Sequence, residues 1–162
     1  MIINTFSDIK VMGVNEINID DYKFRNCTGC NHCWLKTPGV CAVKDDWEMI
    51  FKKILQADSV IFIVEAKLGF VSHKLKNLID RIIPIAMPYT VLYKGETRHK
   101  PRYKKSPAMG LIYFGDGDKE FLTEWFGRIT LNFFSKLLGV YSNEESEEIS
   151  REFGDIQLFP KA

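Results

Sequence analysis

The stretch Ser59-Val60-Ile61-Phe62-Ile63-Val64, residues 59–64, decides the fold class. After Ser59 it is an unbroken run of β-branched and aromatic side chains. Strands of a parallel sheet are covered by helices on both faces and show such runs, whereas a strand with one solvated face alternates apolar and polar residues. The run therefore predicts an interior strand of an α/β protein.

Helical patterns lie on both sides of this strand. Before it, Asp45 or Asp46 provides an N-cap, and apolar residues follow at the i, i+3, i+4, i+7 and i+8 spacing of an amphipathic helix. These residues are Trp47, Ile50, Phe51, Ile54 and Leu55. After it, a second apolar stripe begins near Ser72 and should end at Pro84 and Pro88, because proline cannot continue a helix.

The same order repeats further along the chain. Residues 109–114 predict another strand, a Gly-Asp-Gly-Asp loop follows at 115–118, and a third helix ends before Gly139. Its apolar face is formed by Leu122, Trp125, Phe126, Ile129, Phe133 and Leu137. Residues 14–19 predict a further short strand. Alternating strands and helices need right-handed crossovers, which predicts a mainly parallel sheet in a three-layer α/β fold with helices on both faces.

Size and composition limit the possible classes of protein. The 162 residues predict one domain, and 46% hydrophobic with 13% aromatic residues is enough for a core without disulfides. The net charge of +1 creates no general field for nucleic acid or a membrane surface. No apolar run approaches the ~20 residues of a spanning helix, and no signal segment is recognisable. We therefore expect a cytoplasmic protein with reduced thiols.

All four cysteines fall between residues 27 and 41 with the spacing C-x2-C-x2-C-x7-C. They are Cys27, Cys30, Cys33 and Cys41. Closely spaced thiolates can face one centre and, with a fourth from further along, hold an iron–sulfur cluster of the [4Fe–4S] type. Three alternatives stay open. They are a mononuclear zinc site, whose ligands usually come as two separated pairs, disulfide pairing, which such crowding would strain, and a reduced loop of packed thiols.

The order of these pieces resembles the flavodoxin-like NADPH-dependent FMN reductases, and the iron–sulfur flavoproteins among them. The resemblance extends from about residue 14 to residue 115. It is carried by the cysteine loop followed by Asp45-Asp46, Ala57-Asp58, Gly69-Phe70-Val71-Ser72, Leu75-Lys76 and Ile79-Asp80-Arg81. It implies a doubly wound sheet, FMN at the carboxyl ends of the strands, reduction by a pyridine nucleotide or a redox protein, and a homo-oligomer.

The resemblance also implies where FMN would lie. Its ring would contact two segments that follow the carboxyl ends of adjacent strands. These are Lys67, Leu68, Gly69 and Phe70, and Phe114, Gly115, Asp116 and Gly117. Glycine in each segment would let the backbone approach the ring. Glu65 and Lys67 either flank the flavin or pair with each other in a flavin-free loop.

This chain departs from the family at its N-terminal side. The family begins with a strand and a Gly-Ser-Pro-Arg-like loop that holds the FMN phosphate. No such loop is recognisable here, so we expect the usual first strand, its helix and the phosphate-binding loop to be missing. FMN should then bind weakly, with Arg98, Lys100 and Arg102 as the remaining cations for its phosphate. The sheet surface left open by a missing strand predicts self-association.

Two functions of different class follow. The first is a flavin-dependent NAD(P)H oxidoreductase or electron-transfer protein in which a cluster exchanges single electrons with flavin. The second is a non-catalytic flavodoxin-fold subunit with a degenerate FMN site. His32, His73 and His99 have no catalytic spacing, so acid/base chemistry is not predicted and catalytic residues stay unassigned.

Overall fold

The computed structural model describes residues 1–12, 15–154 and 156–160. The strands are β1 (Ile2–Asn4), β2 (Ile9–Met12), β3 (Glu16–Asn18), β4 (Ser59–Val71), β5 (Ala86–Tyr93), β6 (Glu96–Pro101), β7 (Ala108–Gly117), β8 (Leu137–Ser142) and β9 (Gln157–Pro160). The helices are α1 (His32–Leu35), α2 (Trp47–Gln56), α3 (His73–Arg81), α4 (Lys119–Asn132) and α5 (Ser146–Phe153).

The central sheet is parallel throughout. Its order is β3-β1-β4-β7-β8. Numbered along the chain within this sheet, the order is 2-1-3-4-5, which is the flavodoxin-like arrangement. β4 lies at the centre, and its residues from Val60 to Val64 are almost fully buried. The predicted three-layer α/β fold is confirmed.

Each face of the sheet has its own apolar core. The larger core packs α2, α3 and α4 against one face and includes the fully buried Trp47, Phe62 and Phe126. Each such side chain contributes ~1.5–3 kcal/mol by leaving water. The smaller core covers the other face, where α5 contributes Ile149 and β2 contributes Val11. Helices α2, α3 and α4 thus cover one face of the sheet, and α5 with β2 covers the other.

The N-terminal segment differs from the prediction that a first strand is missing. Residues 2–4 form β1, in which Ile3 pairs with Ile17 of β3 and with Phe62 of β4. The described part of the connection from β1 to β3 contains β2, rather than a helix, and β2 pairs antiparallel with β9. Three strand residues are too few to give a readable pattern, which explains the difference.

Two other boundaries differ in detail. The strand predicted at 14–19 is β3, and Val14 lies outside the described residues. The third helix, α4, ends at Asn132, so Leu137 begins β8 instead of completing the helix face. Phe134 has a φ of 53°, a left-handed conformation that turns the chain out of the helix. Among the described helices, none is long and apolar enough to span a bilayer.

Candidate functional site

The four cysteines surround one small cavity, which we call the cysteine cavity. Its other wall comes from Arg81 at the end of α3 and from Ile83 and Pro84 just after it. The cavity has a volume of about 50 Å³. One water molecule needs only ~10–15 Å³, so the cavity suits a group of several atoms better than one small ion.

The loop backbone directs the thiols toward this cavity. Gly29 and Asn31 are left-handed, with φ of 65° and 56°, and the chain turns at each of them. The Gly39 N–H then donates to the Cys33 carbonyl at 2.9 Å, which folds the loop back toward Cys41. Trp34 fastens the loop to the rest of the domain, because its indole N–H donates to the Ile83 carbonyl at 3.1 Å.

The two carboxylates that start α2 also hold this loop. Asp46 Oδ2 accepts from the Lys23 N–H at 2.7 Å, and Asp45 Oδ2 accepts from the Arg25 N–H at 2.9 Å. Asp45 Oδ1 also accepts from the Trp47 N–H at 3.2 Å, so the Asp45 side chain caps the first N–H of α2. The acidic pair that the sequence indicated as a helix start therefore also holds residues 23–25, which lead into the cysteine loop.

The thiols sit in unequal environments. Cys33 is buried, Cys41 is half-buried, and Cys27 and Cys30 are exposed. The pKa of Cys30 is lowered to about 7 by hydrogen bonds from the His32 backbone N–H, then from the side chains of Thr28 and His32. The pKa of Cys33 is raised, first by burial and then by the negative charge of the other three thiolates. Four thiolates around one cavity repel one another unless a cation compensates them.

Arg81 is the cation that reaches the cavity. Its guanidinium binds both oxygens of Asp45, with Nη1–Oδ2 at 2.7 Å and Nη2–Oδ1 at 3.1 Å. Nη1 also donates to the Arg25 carbonyl at 2.7 Å, and Nη2 donates to Cys41 Sγ at 3.3 Å. Burial opposes ionisation of Asp45, but the hydrogen bonds and charge of Arg81, with those backbone N–H groups, hold its pKa below the usual range.

Within the part of the chain that the structure describes, the donor set does not form a mononuclear metal site. Among the described residues, which include all four cysteines, no three His, Cys, Asp or Glu side chains converge on one ion position. Structural zinc needs four ligands at ~2–2.3 Å from a single point. In a [4Fe–4S] cluster each thiolate binds a different iron, so the sulfurs surround a larger group. The described residues form neither arrangement, although all four thiols line one cavity.

The two segments predicted to contact flavin lie side by side. Ala66 of β4 is in register with Gly115 of β7, and Gly69 is in register with Gly117. The Leu68 N–H donates to Asp116 Oδ2 at 3.2 Å, which ties the two segments together. The structure therefore brings the predicted residues together as a two-stranded extension of the sheet.

Contacts within this extension account for several predicted features. Gly115 has a φ of 96°, and a Cβ there would lie 2.5 Å from the Ala66 carbonyl oxygen. Glycine is thus required by the neighbouring strand. Lys67 Nζ lies 2.7 Å from Glu65 Oε1, which is the pairing foreseen for a flavin-free loop. Phe70 packs on Phe121 and Trp125, with ring centroids 5.8 and 4.9 Å apart.

A second pocket, missed by the sequence reasoning, lies where the strand order reverses between β1 and β4. We call it the switch-point pocket, and its volume is about 250 Å³. It is lined by Thr5, Phe6, Ser7 and Asp8 after β1, Glu65 and Lys67 of β4, and Ser72, His73 and Lys74 at the start of α3. Doubly wound sheets bind ligands at this point. In the sequence, the hydroxyl residues Thr5 and Ser7 just after β1 indicate this pocket. Residues 5–8 contain no glycine of the kind that a phosphate loop has.

The polar groups of this pocket are mostly engaged. Lys74 Nζ donates to Ser7 Oγ at 2.9 Å and to Asp20 Oδ1 at 2.5 Å, and Ser7 donates to Asp20. Thr5 Oγ1 donates to the Ile63 carbonyl at 2.9 Å. Ser72 Oγ is buried and makes no hydrogen bond to the residues that the structure describes. The pocket thus offers one unengaged hydroxyl at the N-terminus of α3.

The three cations suggested for the FMN phosphate lie in β6 and directly after it. Arg102 donates to the carbonyls of Pro84 and Ala86 at 3.0 and 3.2 Å. Arg98 is buried and donates to Asn132 Oδ1 at 2.5 Å. Two of the three suggested cations are therefore committed to the fold.

Comparison with known proteins gives partial matches. No protein-family model matches the chain. An iron–sulfur flavoprotein of Methanocaldococcus jannaschii is 36% identical over 78 residues, which cover 48% of this chain and 39% of that protein. Two iron–sulfur flavoproteins of Archaeoglobus fulgidus are 38% identical over 65 residues and 26% identical over 117 residues, covering 40% and 72% of this chain.

This chain spans less than half the length of these relatives, with matched shares of 39%, 31% and 47%. Three matches to proteins that carry the same name agree with the resemblance seen in the cysteine loop and the segments that follow it. The similarity supports a relationship of this chain to the iron–sulfur flavoproteins.

Proposed function

We propose that this protein is a flavin-linked electron-transfer protein whose four cysteines hold a [4Fe–4S] cluster. One observation carries the proposal: Cys27, Cys30, Cys33 and Cys41, spread over two turns of the loop, line the same cavity. When bound, such a cluster accepts and donates single electrons. The names of the similar proteins point to the same pair of cofactors.

The residues of the cavity would each have a definite part. Cys27, Cys30, Cys33 and Cys41 would be the ligands. The lowered pKa of Cys30 favours the thiolate that a metal requires. Trp34 holds the loop against the domain, and Asp45 holds the segment that leads into it.

FMN is proposed at the switch-point pocket, with weak affinity. Its place in the sheet favours a flavin there, and Ser72 Oγ with the first N–H groups of α3 suits a phosphate. The volume of about 250 Å³ is below the ~300–1,000 Å³ of most ligand pockets, and Asp8 and Glu65 add carboxylates to its wall. In this proposal the ring extends along 67–70 and 114–117.

Helix α3 would connect the two cofactors. Its first residue, His73, lines the switch-point pocket, and its last, Arg81, lines the cysteine cavity. Eight rises of ~1.5 Å separate the ends of this helix by about 12 Å. A rigid element of this length would keep the two sites at a fixed separation, with a pyridine nucleotide or a redox protein supplying electrons.

A second candidate is a subunit with the same fold and no tightly bound flavin. The Glu65–Lys67 pair and the contact of Gly115 with Ala66 favour it, because the pair neutralises Lys67 and the contact explains Gly115 without a flavin. The predicted homo-oligomer belongs to either candidate, and size exclusion with light scattering tests it. Reduced cysteines suit a cytoplasmic location for both.

The decisive experiment is anaerobic purification or reconstitution with iron and sulfide. The cluster proposal requires a broad visible absorbance with stoichiometric iron and acid-labile sulfide in the wild type. Cys30→Ser should lose the iron and keep its α/β circular dichroism spectrum, because the core lies elsewhere. Lys36→Ala is the matched control, since Lys36 is exposed on the same loop outside the cavity wall. Equal iron in Cys30→Ser and wild type, or no iron in wild type, would refute the proposal.

A further inference from the structure

Arg81 is a buried cation that several neighbouring groups hold in place. Its side chain is 1% exposed. Its guanidinium carbon lies 5.6 Å from the Trp47 ring centroid and 6.0 Å from that of Phe24. Burying an unpaired cation is costly, and Asp45 compensates this charge with two hydrogen bonds. The side chain is thus fixed by rings around it and a carboxylate beside it.

One N–H of this group is directed at sulfur. Nη2 is shared between Asp45 Oδ1 at 3.1 Å and Cys41 Sγ at 3.3 Å. Cys41 is one of the four thiols that line the cysteine cavity, and Arg81 itself lines that cavity. Only the planar guanidinium of arginine can bind a carboxylate through two nitrogens and still present an N–H to the thiol. A lysine at this position would keep the charge and lose that geometry.

We infer that Arg81 raises the reduction potential of the cluster held by the four cysteines, and that Asp45 limits this effect. The inference rests on the proposed cluster. Reduction adds one negative charge to a cluster, and a nearby cation and a hydrogen bond to a ligand sulfur both stabilise the reduced form. Asp45 acts in the opposite direction, because its carboxylate offsets the charge of Arg81.

The test is a mediated redox titration of the reconstituted protein with dithionite, followed by visible absorbance. Arg81→Gln should lower the midpoint potential, reducing the reduced-to-oxidised ratio at a fixed potential by at least about tenfold. Asp45→Asn should shift the midpoint in the opposite direction. Arg81→Lys should fall between wild type and Arg81→Gln. Opposite shifts from two neighbouring residues would not arise from a general loosening of the loop.

Lys44→Gln is the matched control. It also removes one positive charge next to Asp45 in the sequence, but Lys44 is exposed and pairs with Glu48 at 3.7 Å. Its midpoint should equal that of wild type. Iron, sulfide and thermal unfolding are measured on every variant, so loss of the cluster is separated from a change in its potential.

Three results would overturn the inference. An Arg81→Gln protein with full iron content and the wild-type midpoint would show that Arg81 is only structural. Shifts of the same sign in Arg81→Gln and Asp45→Asn would do the same. Wild-type protein without iron would refute the cluster proposal itself and the inference with it. Should Arg81→Gln fail to fold, the signs of Arg81→Lys and Asp45→Asn still decide the question.

Discussion

The cysteine cavity and the switch-point pocket are held in different ways. The walls of the cysteine cavity are tied by side chains that reach in from distant elements, such as Trp34 to Ile83 and Arg81 to Asp45. One wall of the switch-point pocket is a short loop after β1, and both of its lysines are already paired, Lys74 with Asp20 and Lys67 with Glu65. The thiols of the first site line a common cavity with braced walls, whereas most polar side chains of the second site bind one another.

The largest expected effect breaks the bracing of the cysteine cavity. Asp45→Ala leaves the buried guanidinium of Arg81 without its carboxylate, so we expect a loss of ~3–5 kcal/mol in the free energy of unfolding. Urea denaturation of the metal-free protein measures this. Glu48→Ala, which breaks surface pairs on the same helix, is the control and should change stability little. Equal midpoints for both variants would show that the Arg81–Asp45 pair does not brace the loop.

The next effect concerns the two-stranded extension beside the switch-point pocket. Gly115→Ala should cost ~2–3 kcal/mol, because it adds a clash with the Ala66 carbonyl to an unfavourable φ of 96°. Gly95→Ala is the control, since its φ is 79° but a Cβ there has no neighbour within 4 Å. Thermal unfolding should therefore rank Gly115→Ala well below Gly95→Ala. The same loss in both would mean that the Ala66 contact relaxes freely.

A chemical test compares two thiols of the cysteine cavity. In the reduced metal-free protein, Cys30 should react with iodoacetamide with a midpoint near pH 7, because its lowered pKa gives more thiolate there than an ordinary thiol. Cys33 should need a higher pH than an ordinary thiol, because its pKa is raised. Peptide mass spectrometry over pH 5–10 follows both residues. At pH 7.5 Cys30 should react faster than Cys33, because Cys30 is exposed and more of it is thiolate. Indistinguishable profiles would contradict a preformed loop.

The smallest expected effect is on the affinity of the switch-point pocket for FMN. We expect FMN to bind wild-type protein with a dissociation constant above ~1 µM, and Glu65→Gln to tighten it by about two- to fivefold by removing a carboxylate from the pocket wall. Quenching of flavin fluorescence measures both. Glu124→Gln, exposed on α4, should leave the affinity unchanged. Submicromolar wild-type binding would show that a glycine-rich phosphate loop is not needed.

Patterns with a strong period predicted the fold well. The continuous apolar run of β4 predicts the sheet, and the apolar face of α2 predicts one of its helical layers. Both can be read from the sequence because buried positions recur with a regular spacing. β1 left no such trace, since its three residues are recognisable only when β3 and β4 flank them. Leu137 satisfies a helical period by chance, and the left-handed turn at Phe134 overrides it.

The candidate site was predictable only in part. Local spacing grouped the cysteines, because their loop is short and continuous. The partnership of Arg81 with Cys41 and Asp45 joins residues 36–40 positions apart, and no local pattern records such a contact. The two segments that were predicted to contact flavin lie side by side, but their contacts with each other depend on strand register, which the sequence does not reveal.

The β2–β9 ribbon has a consequence for synthesis of the chain. Residues 9–12 leave the ribosome early, and their pairing partners at 157–160 leave it about 148 residues later, which takes roughly 7–30 seconds at 5–20 residues per second. During that interval the face of the sheet that carries Ile61, Ile63 and Ile112 has neither the completed ribbon nor α5 to cover it. The nascent chain therefore exposes this apolar surface until α5 and β9 have emerged.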